Sequence, residues 1–540
     1  MIRIRHLAAP IEELGPLEEL AARRLRLPAG AVQEVRLVRK AIDARRYRGT
    51  PIQFSYTLDV KIAGSEKKLL ARFYRDRDVM AAPPPRPSLW ERMPRWEGRD
   101  RRPVVVGFGP AGMMAALVLA RAGLSPLVLE RGADIETRRA AVERFWQGGA
   151  LNPAANVQFG EGGAGTFSDG KLTSRSSDPH TADVLDTFIA AGAPEEIRYL
   201  HKPHLGTDRL HGIVRHIRQE ILRAGGEVRF GARMTDVETG TDGVRAVVVN
   251  DSERIAAEAV LLGIGHSARD TCQKLLARAV AMMPKAFAVG LRIEHPQALI
   301  DRVQYGADAG NPLLPAADYA LTFRDEVTGR GAYSFCMCPG GQVVAAASER
   351  DHITTNGMSL YARRSGVANA ALLVTVTPED FGSTVAGGIA FQRQYESLAF
   401  HLAGADYRAP VQTVGDFLSG KVGSRDFLVT PTYEPGVVSA DLKKALPDFV
   451  ARTIADALPD FDRRIPGFAD SGAPLTGVEM RSSSPYRILR DPVTLVSVST
   501  PGLFPMGEGA GYAGGIMSAA VDGLRAALAF LAKIGHTVKE

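Results

Sequence analysis

The chain has 540 residues, 45% hydrophobic and 23% charged, which suits a globular protein of two or three domains and excludes a disordered or fibrous one. Its net charge of +6 is uneven, with 20 Lys and Arg against 11 Asp and Glu over residues 1–95, so the remainder carries −3. Three cysteines, Cys272, Cys336 and Cys338, exclude a disulfide framework and make a poor metal site, so no metal is expected. No apolar run reaches eighteen residues, and Met1 to Leu7 lack the apolar centre of a signal peptide, so no membrane span and a cytoplasmic location are expected.

Residues 1–78 read as a small basic α+β domain. Ile2–Leu7 alternates as a strand and Leu14–Leu27 has helical spacing. Val35–Ala41 and Ile52–Ile62 are strand-like, the second alternating Phe54, Tyr56, Leu58 and Val60. The cluster Arg36, Arg39, Lys40, Arg45, Arg46, Tyr47 and Arg48 admits nucleic-acid binding as an alternative, against the plainer reading of a solvated basic face packed on an acidic body. Residues 79–102 form a linker, since the run Ala81-Ala82-Pro83-Pro84-Pro85-Arg86-Pro87, followed by Trp90 and Trp96, cannot continue a helix or an inner strand.

Residues 103–279 open with Val104-Val105-Val106-Gly107-Phe108-Gly109-Pro110-Ala111-Gly112, then a helical pattern, the strand Pro126–Leu129 and Glu130-Arg131. Strand, glycine turn, helix, strand and acid in this order hold the ADP part of a dinucleotide. Gly107 permits the turn, Gly109 lets backbone approach the pyrophosphate, Gly112 lets the helix pack on the strand, and Glu130 is placed to accept from the ribose hydroxyls. A second cluster contains Gly162, Gly163, Ala164, Gly165, Thr166, Asp169, Gly170 and Lys171, and reads as a loop shaping a flavin pocket and touching the pyrophosphate. Glu227–Val237, Val244–Asn250 and Ile255–Gly263 form a strand meander whose last strand returns to the main sheet. Gly263, Gly265 and His266 then pass close to the dinucleotide, with His266 a weak catalytic candidate.

Residues 280–470 contain no second fingerprint, so no dedicated NAD(P) domain is expected. Their strands, Ala286–Ile293, Val343–Ala347 and Leu372–Val376, suit a substrate or cap domain. Cys336 and Cys338, two apart on an extended segment, face the same side. A disulfide across C-x-C is strained, which favours buried structural thiols over a redox pair. Residues 471–540 return to the cofactor. Arg481-Ser482-Ser483-Ser484-Pro485 and Tyr512 are further candidates for a substrate cavity. Gly507, Glu508, Gly514, Gly515 and Ile516 precede a helix with an apolar stripe that ends at Gly535. Glu508 takes the place of an acid that accepts from a ribityl hydroxyl, and the helix N-terminus faces the flavin edge that becomes negative on reduction.

The phrases NVQFGEGGAGTFSDGKL, FAVGLRIEHPQ, SFCMCPGGQVV, NGMSLYARRSGVANAA, GEGAGYAGGIMSAAVDGLRAA and VRKAIDARR span nearly the whole chain. They resemble the bacterial family of predicted FAD-dependent dehydrogenases, the NAD(P)/FAD-dependent oxidoreductases. That resemblance implies an α/β chain whose Rossmann-type, glutathione-reductase-like FAD-binding domain carries an inserted meander, an α+β cap domain and the small N-terminal domain. It implies FAD as cofactor; with no second fingerprint, either NAD(P)H docks transiently as reductant or the substrate itself is the reductant. The function implied is an FAD-dependent oxidoreductase passing hydride between a small molecule or NAD(P)H and flavin N5. No substrate is defined by it.

Overall fold

The computed structural model describes residues 1–45, 51–93, 95, 102–173 and 178–537. Arg46, Tyr47, Arg48 and Trp96, noted in the sequence, lie outside them.

The N-terminal unit runs strand, helix, strand, strand, helix, strand. Its antiparallel sheet is ordered Val32–Asp43, Gln53–Ile62, Ile2–Pro10, Val79–Ala81, the split β-α-β arrangement. Alternation drives it: Ile2, Ile4, Leu58 and Val60 are fully buried on one face, where they meet Ala21 and Leu25 of the helix Leu17–Leu25. The fourth strand carries the sheet to Ala81, past residue 78. The edge strand Val32–Asp43 also joins the rest of the protein, for the Lys40 N–H donates to Tyr199 O and its carbonyl accepts from the His201 N–H. Its cations are partly spent within the chain, since Arg45 pairs with Asp43 and Lys40 Nζ lies 4.2 Å from the centre of the Phe54 ring.

The dinucleotide motif sits in a Rossmann-type parallel sheet ordered Leu503–Pro505, Val260–Leu262, Val104–Val106, Leu127–Leu129, Glu227–Arg229. The first four of these strands are buried on both faces by helices Pro110–Arg121 and Ile516–Lys533 on one side and the meander on the other, which explains their unbroken apolar runs, whereas the edge strand Glu227–Arg229 is exposed to half-buried. The meander comprises Met234–Gly240, Gly243–Val249 and Glu253–Ala256. Two of the expected meander strands therefore divide. Glu227–Arg229 becomes the edge of the parallel sheet, and Val260–Leu262 crosses back to its middle.

A second large sheet has seven strands in the order Thr322–Arg324, Gly331–Cys338, Val367–Val376, Phe287–Pro296, Pro474–Glu479, Ala409–Thr413, Val437–Ser439. It extends past residue 470 by taking in Pro474–Glu479. Its apolar face and the N-terminal unit share one core. No helix among the described residues is long and apolar enough to cross a membrane.

A glycine-walled cavity as the candidate active site

Glycine clusters far apart in sequence meet backbone to backbone. A Cβ on Gly112 would lie 1.9 Å from Gly107 O, one on Gly107 2.3 Å from Gly263 O, and one on Gly509 2.7 Å from Gly265 N. Three glycines differ from these. A Cβ on Gly109 would meet nothing closer than 3.6 Å, one on Gly515 nothing closer than 3.9 Å, and one on Gly514 nothing within 4 Å. Gly109 has φ −78°, open to any residue. Folding does not require glycine at these three positions. All three face a cavity of about 1510 Å³.

This wall is held rigid by buried side chains. Glu130 Oε2 accepts from the Phe108 N–H at 2.8 Å, and its Oε1 accepts from Gly132 N–H at 2.8 Å and Gly160 N–H at 3.0 Å. One carboxylate thus ties the first glycine turn to the second cluster, with one of its roughly four acceptor positions left over. Arg138, fully buried, donates to the carbonyls of Asn156, Val157, Gly160 and Glu161. Burial lowers its guanidinium to about 10, still protonated at neutral pH. Asp522 accepts from the Gly507 N–H at 2.7 Å and from Arg490, bracing the third cluster.

Helices Pro110–Arg121 and Ile516–Lys533 both begin at the cavity behind N-cap glycines that supply no capping side chain, so each leaves N–H groups and a positive dipole end facing it. His266 is buried there as well. Its Nδ1 lies 3.1 Å from Glu508 Oε1, and among the described residues its Nε2 has no hydrogen-bond partner. A large cavity with two uncapped helix N-termini, side-chain-free glycines and an orphaned imidazole nitrogen fits FAD.

Charged side chains form the opposite wall. Asp169 binds Lys171 at 2.7 Å and Arg363 Nε at 2.9 Å and accepts from Ser359 Oγ. Burial alone would raise its carboxyl, but Lys171 and Arg363 hold it at about 2. Arg292 reaches Glu479 through two nitrogens. Arg481 and Arg269 share the fully buried Glu396, joining the seven-stranded sheet to the parallel-sheet unit. Arg39, from the N-terminal unit, reaches the cavity beside His201 Nδ1 at 2.8 Å.

Of the residues singled out in the sequence, Gly107, Gly109, Pro110, Ala111, Glu130, Arg131, Gly163, Ala164, Gly165, Asp169, Gly170, Lys171, Gly263, Gly265, His266, Cys336, Gly507, Glu508, Gly514, Gly515, Ile516 and Arg481 line the cavity. Gly112, Gly162 and Thr166 pack behind it. Tyr512 does not line it, because Arg490 and Arg487 hold its ring at 3.8 and 4.9 Å. Cys336 and Cys338 do not share a face. A β-bulge between Phe335 and Cys338 breaks the alternation, leaving Cys336 at the cavity and Cys338 fully buried. Sequence reasoning missed Glu479, read Arg39 only as part of a basic face, and gave no role to Gln158, Asn356 and Arg363 within the quoted phrases that contain them, although all five line the cavity.

A family model described as FAD-dependent protein, C-terminal domain-like, matches residues 286–482, the segment that contains all seven strands of the large sheet. A domain of unknown function, DUF8436, matches residues 1–61. An uncharacterised protein of Clostridium beijerinckii is 47% identical over 531 residues, covering 97% of this chain and 98% of that one. The chain belongs to this family of FAD-dependent proteins. Solved structures resemble it weakly over most of its length. A geranylgeranyl bacteriochlorophyll reductase-like protein of Thermoplasma acidophilum is 13% identical over 81% of this chain and 80% of its own, with a TM-score of 0.34. CtdE in complex with FAD is 12% identical over 80% of this chain and 84% of its own, also with a TM-score of 0.34. In this chain, a member of an FAD-dependent family, the glycine wall and the charged side chains meet at one cavity.

Proposed function

We propose that the chain is an oxidoreductase of glutathione-reductase-like fold, acting in the cytoplasm on a small molecule. The observation that carries this reading is the set Gly109, Gly514 and Gly515, glycines that packing does not need and that face the same cavity. Gly107 to Ala111 and the helix behind them would hold the pyrophosphate, and Glu130 with Arg131 the adenosine end. Gly163 to Lys171, with Gly507 to Ile516, would hold the flavin end. FAD held there would supply the redox chemistry, hydride transfer at N5 with a small-molecule substrate or NAD(P)H as the other party. The chain's residues position the reactants, keep water from the buried end and steady His266 through Glu508, so that Nε2 is the group that gives or takes a proton.

The test is the visible spectrum of the purified protein, followed anaerobically as NADH and then NADPH are added. A flavin band that bleaches with either assigns NAD(P)H as donor, and one unmoved by both leaves the substrate as donor. A colourless protein that cannot be loaded with FAD contradicts the reading.

A further inference from the structure

The charges that line the cavity are nearly all answered within the chain. Each Lys and Arg there except Arg39 has a carboxylate oxygen within 3.1 Å, from Arg131 with Asp270 to Lys202 with Asp318 and Arg481 with Glu396. Arg39 has none among the described residues. Its guanidinium bonds His201 Nδ1 at 2.8 Å, and because arginine only donates, that nitrogen accepts and the ring is neutral. Burial, with Arg39 and Lys202 beside it, holds the His201 imidazolium below the ordinary histidine range, so the pair keeps a single positive charge at neutral pH.

A bulge aims Arg39 at the cavity. In the strand Val32–Asp43, Leu37 pairs with Leu58 and Arg39 with Thr57, so two steps on one strand answer one step on the other. Leu37 packs against the core that contains Leu58. Without the extra residue Arg39 would share that face; with it, Arg39 turns to the side of Thr57. The neighbouring Lys40 is clamped in place, its N–H donating to Tyr199 O at 2.7 Å and its carbonyl accepting from the His201 N–H at 2.9 Å. The N-terminal unit, with a sheet of its own, thus sends one uncompensated cation to a cavity that it does not otherwise line.

Apolar rings lie on the adjoining wall. Lys202 Nζ donates to Asp318 at 2.8 Å, and the segment it holds runs to Leu321, whose N–H donates to Ser334 Oγ at 2.8 Å. Tyr333 and Phe335, on either side of Ser334, pair with Leu373 and Ala371 and so share one face of their strand. Their rings meet edge to face at 6.3 Å, and both line the cavity, with Phe335 37% exposed. The Tyr319 hydroxyl, also at the cavity, is buried with no hydrogen-bond partner among the described residues. None of these residues belongs to the glycine clusters that would hold FAD.

We propose that the molecule that meets the flavin is an amphipathic anion: a carboxylate or phosphate that pairs with Arg39, on an apolar body that lies against Tyr333 and Phe335. The guanidinium fork matches either group. This substrate class rests on reading the cavity as the FAD site, and it gives the N-terminal unit a part in recognising substrate.

The test is calorimetric titration of the full chain carrying its FAD with benzoate, phenyl phosphate and the uncharged benzyl alcohol. At least one anion should bind the wild type about tenfold or more tighter than the alcohol, and which one does so names the anionic group. Arg39→Gln should abolish that preference and Arg39→Lys should keep part of it. Phe335→Ala should weaken all three ligands. Thermal unfolding is recorded to show that each variant folds. Anions that bind no tighter than the alcohol, or an Arg39→Gln chain that binds them as well as wild type, would overturn the proposal. The titration follows the anion and the flavin spectrum follows the cofactor, so the two readings fail separately.

Discussion

On one side of the cavity the protein presents backbone, with glycines from three clusters in contact and a single carboxylate, Glu130, gathering three N–H groups. On the other it presents charges that are already paired: Asp169 with Lys171 and Arg363 at the cavity, Glu479 with the buried Arg292 behind it, and Arg481 with the buried Glu396 behind it. The first arrangement suits a ligand that must come close along its length and places positive helix ends against it. The second has met most of its electrostatic demands internally, and it offers a reacting molecule a fixed polar surface instead of free charge. The two sides should therefore fail differently when altered.

The largest effect is expected on the backbone side. Gly112→Val forces atoms into Gly107 O, 1.9 Å from the new Cβ, and should cost more than about 4 kcal/mol, seen as loss of folded protein. Gly514→Ala meets nothing within 4 Å and should fold normally. On the charged side, Glu396→Ala leaves Arg481 buried without its anion and Arg269 with Glu349 alone, and should cost about 3–5 kcal/mol in urea unfolding. Glu294 probes the same sheet through pH. Burial raises its carboxyl to about 7 from 4.5, so the folded chain binds the extra proton between those values and loses stability as pH rises through that window. Glu294→Gln should flatten that fall, by up to about 3 kcal/mol at the upper end, measured as unfolding free energy against pH. Tyr512→Phe is expected to do least. It removes a hydroxyl 3.3 Å from the Arg490 N–H outside the cavity and should change stability by no more than about 1 kcal/mol, with FAD affinity unchanged.

The backbone side could be read from the sequence because its requirements are local. Gly107, Gly109 and Gly112 lie within six residues, and strand, turn and helix follow in order. The charged side could not, because Arg269, Glu396 and Arg481 mean nothing until three elements pack together. Cys336 shows the same limit, since strand alternation places it with Cys338 and a single-residue bulge, set by pairing with a distant strand, parts them. Tyr512 stands beside a true glycine turn, yet Arg487 and Arg490 hold its ring away from the cavity.

The cofactor assignment is tested most directly by FAD affinity in Gly109→Ala, measured by flavin fluorescence on chains stripped of cofactor, with thermal unfolding recorded alongside. The nearest protein atom lies 3.6 Å from the added Cβ, so the variant should unfold like wild type while FAD binding weakens by about tenfold or more. A variant that binds FAD as tightly as wild type would contradict the claim that this wall exists to hold the dinucleotide.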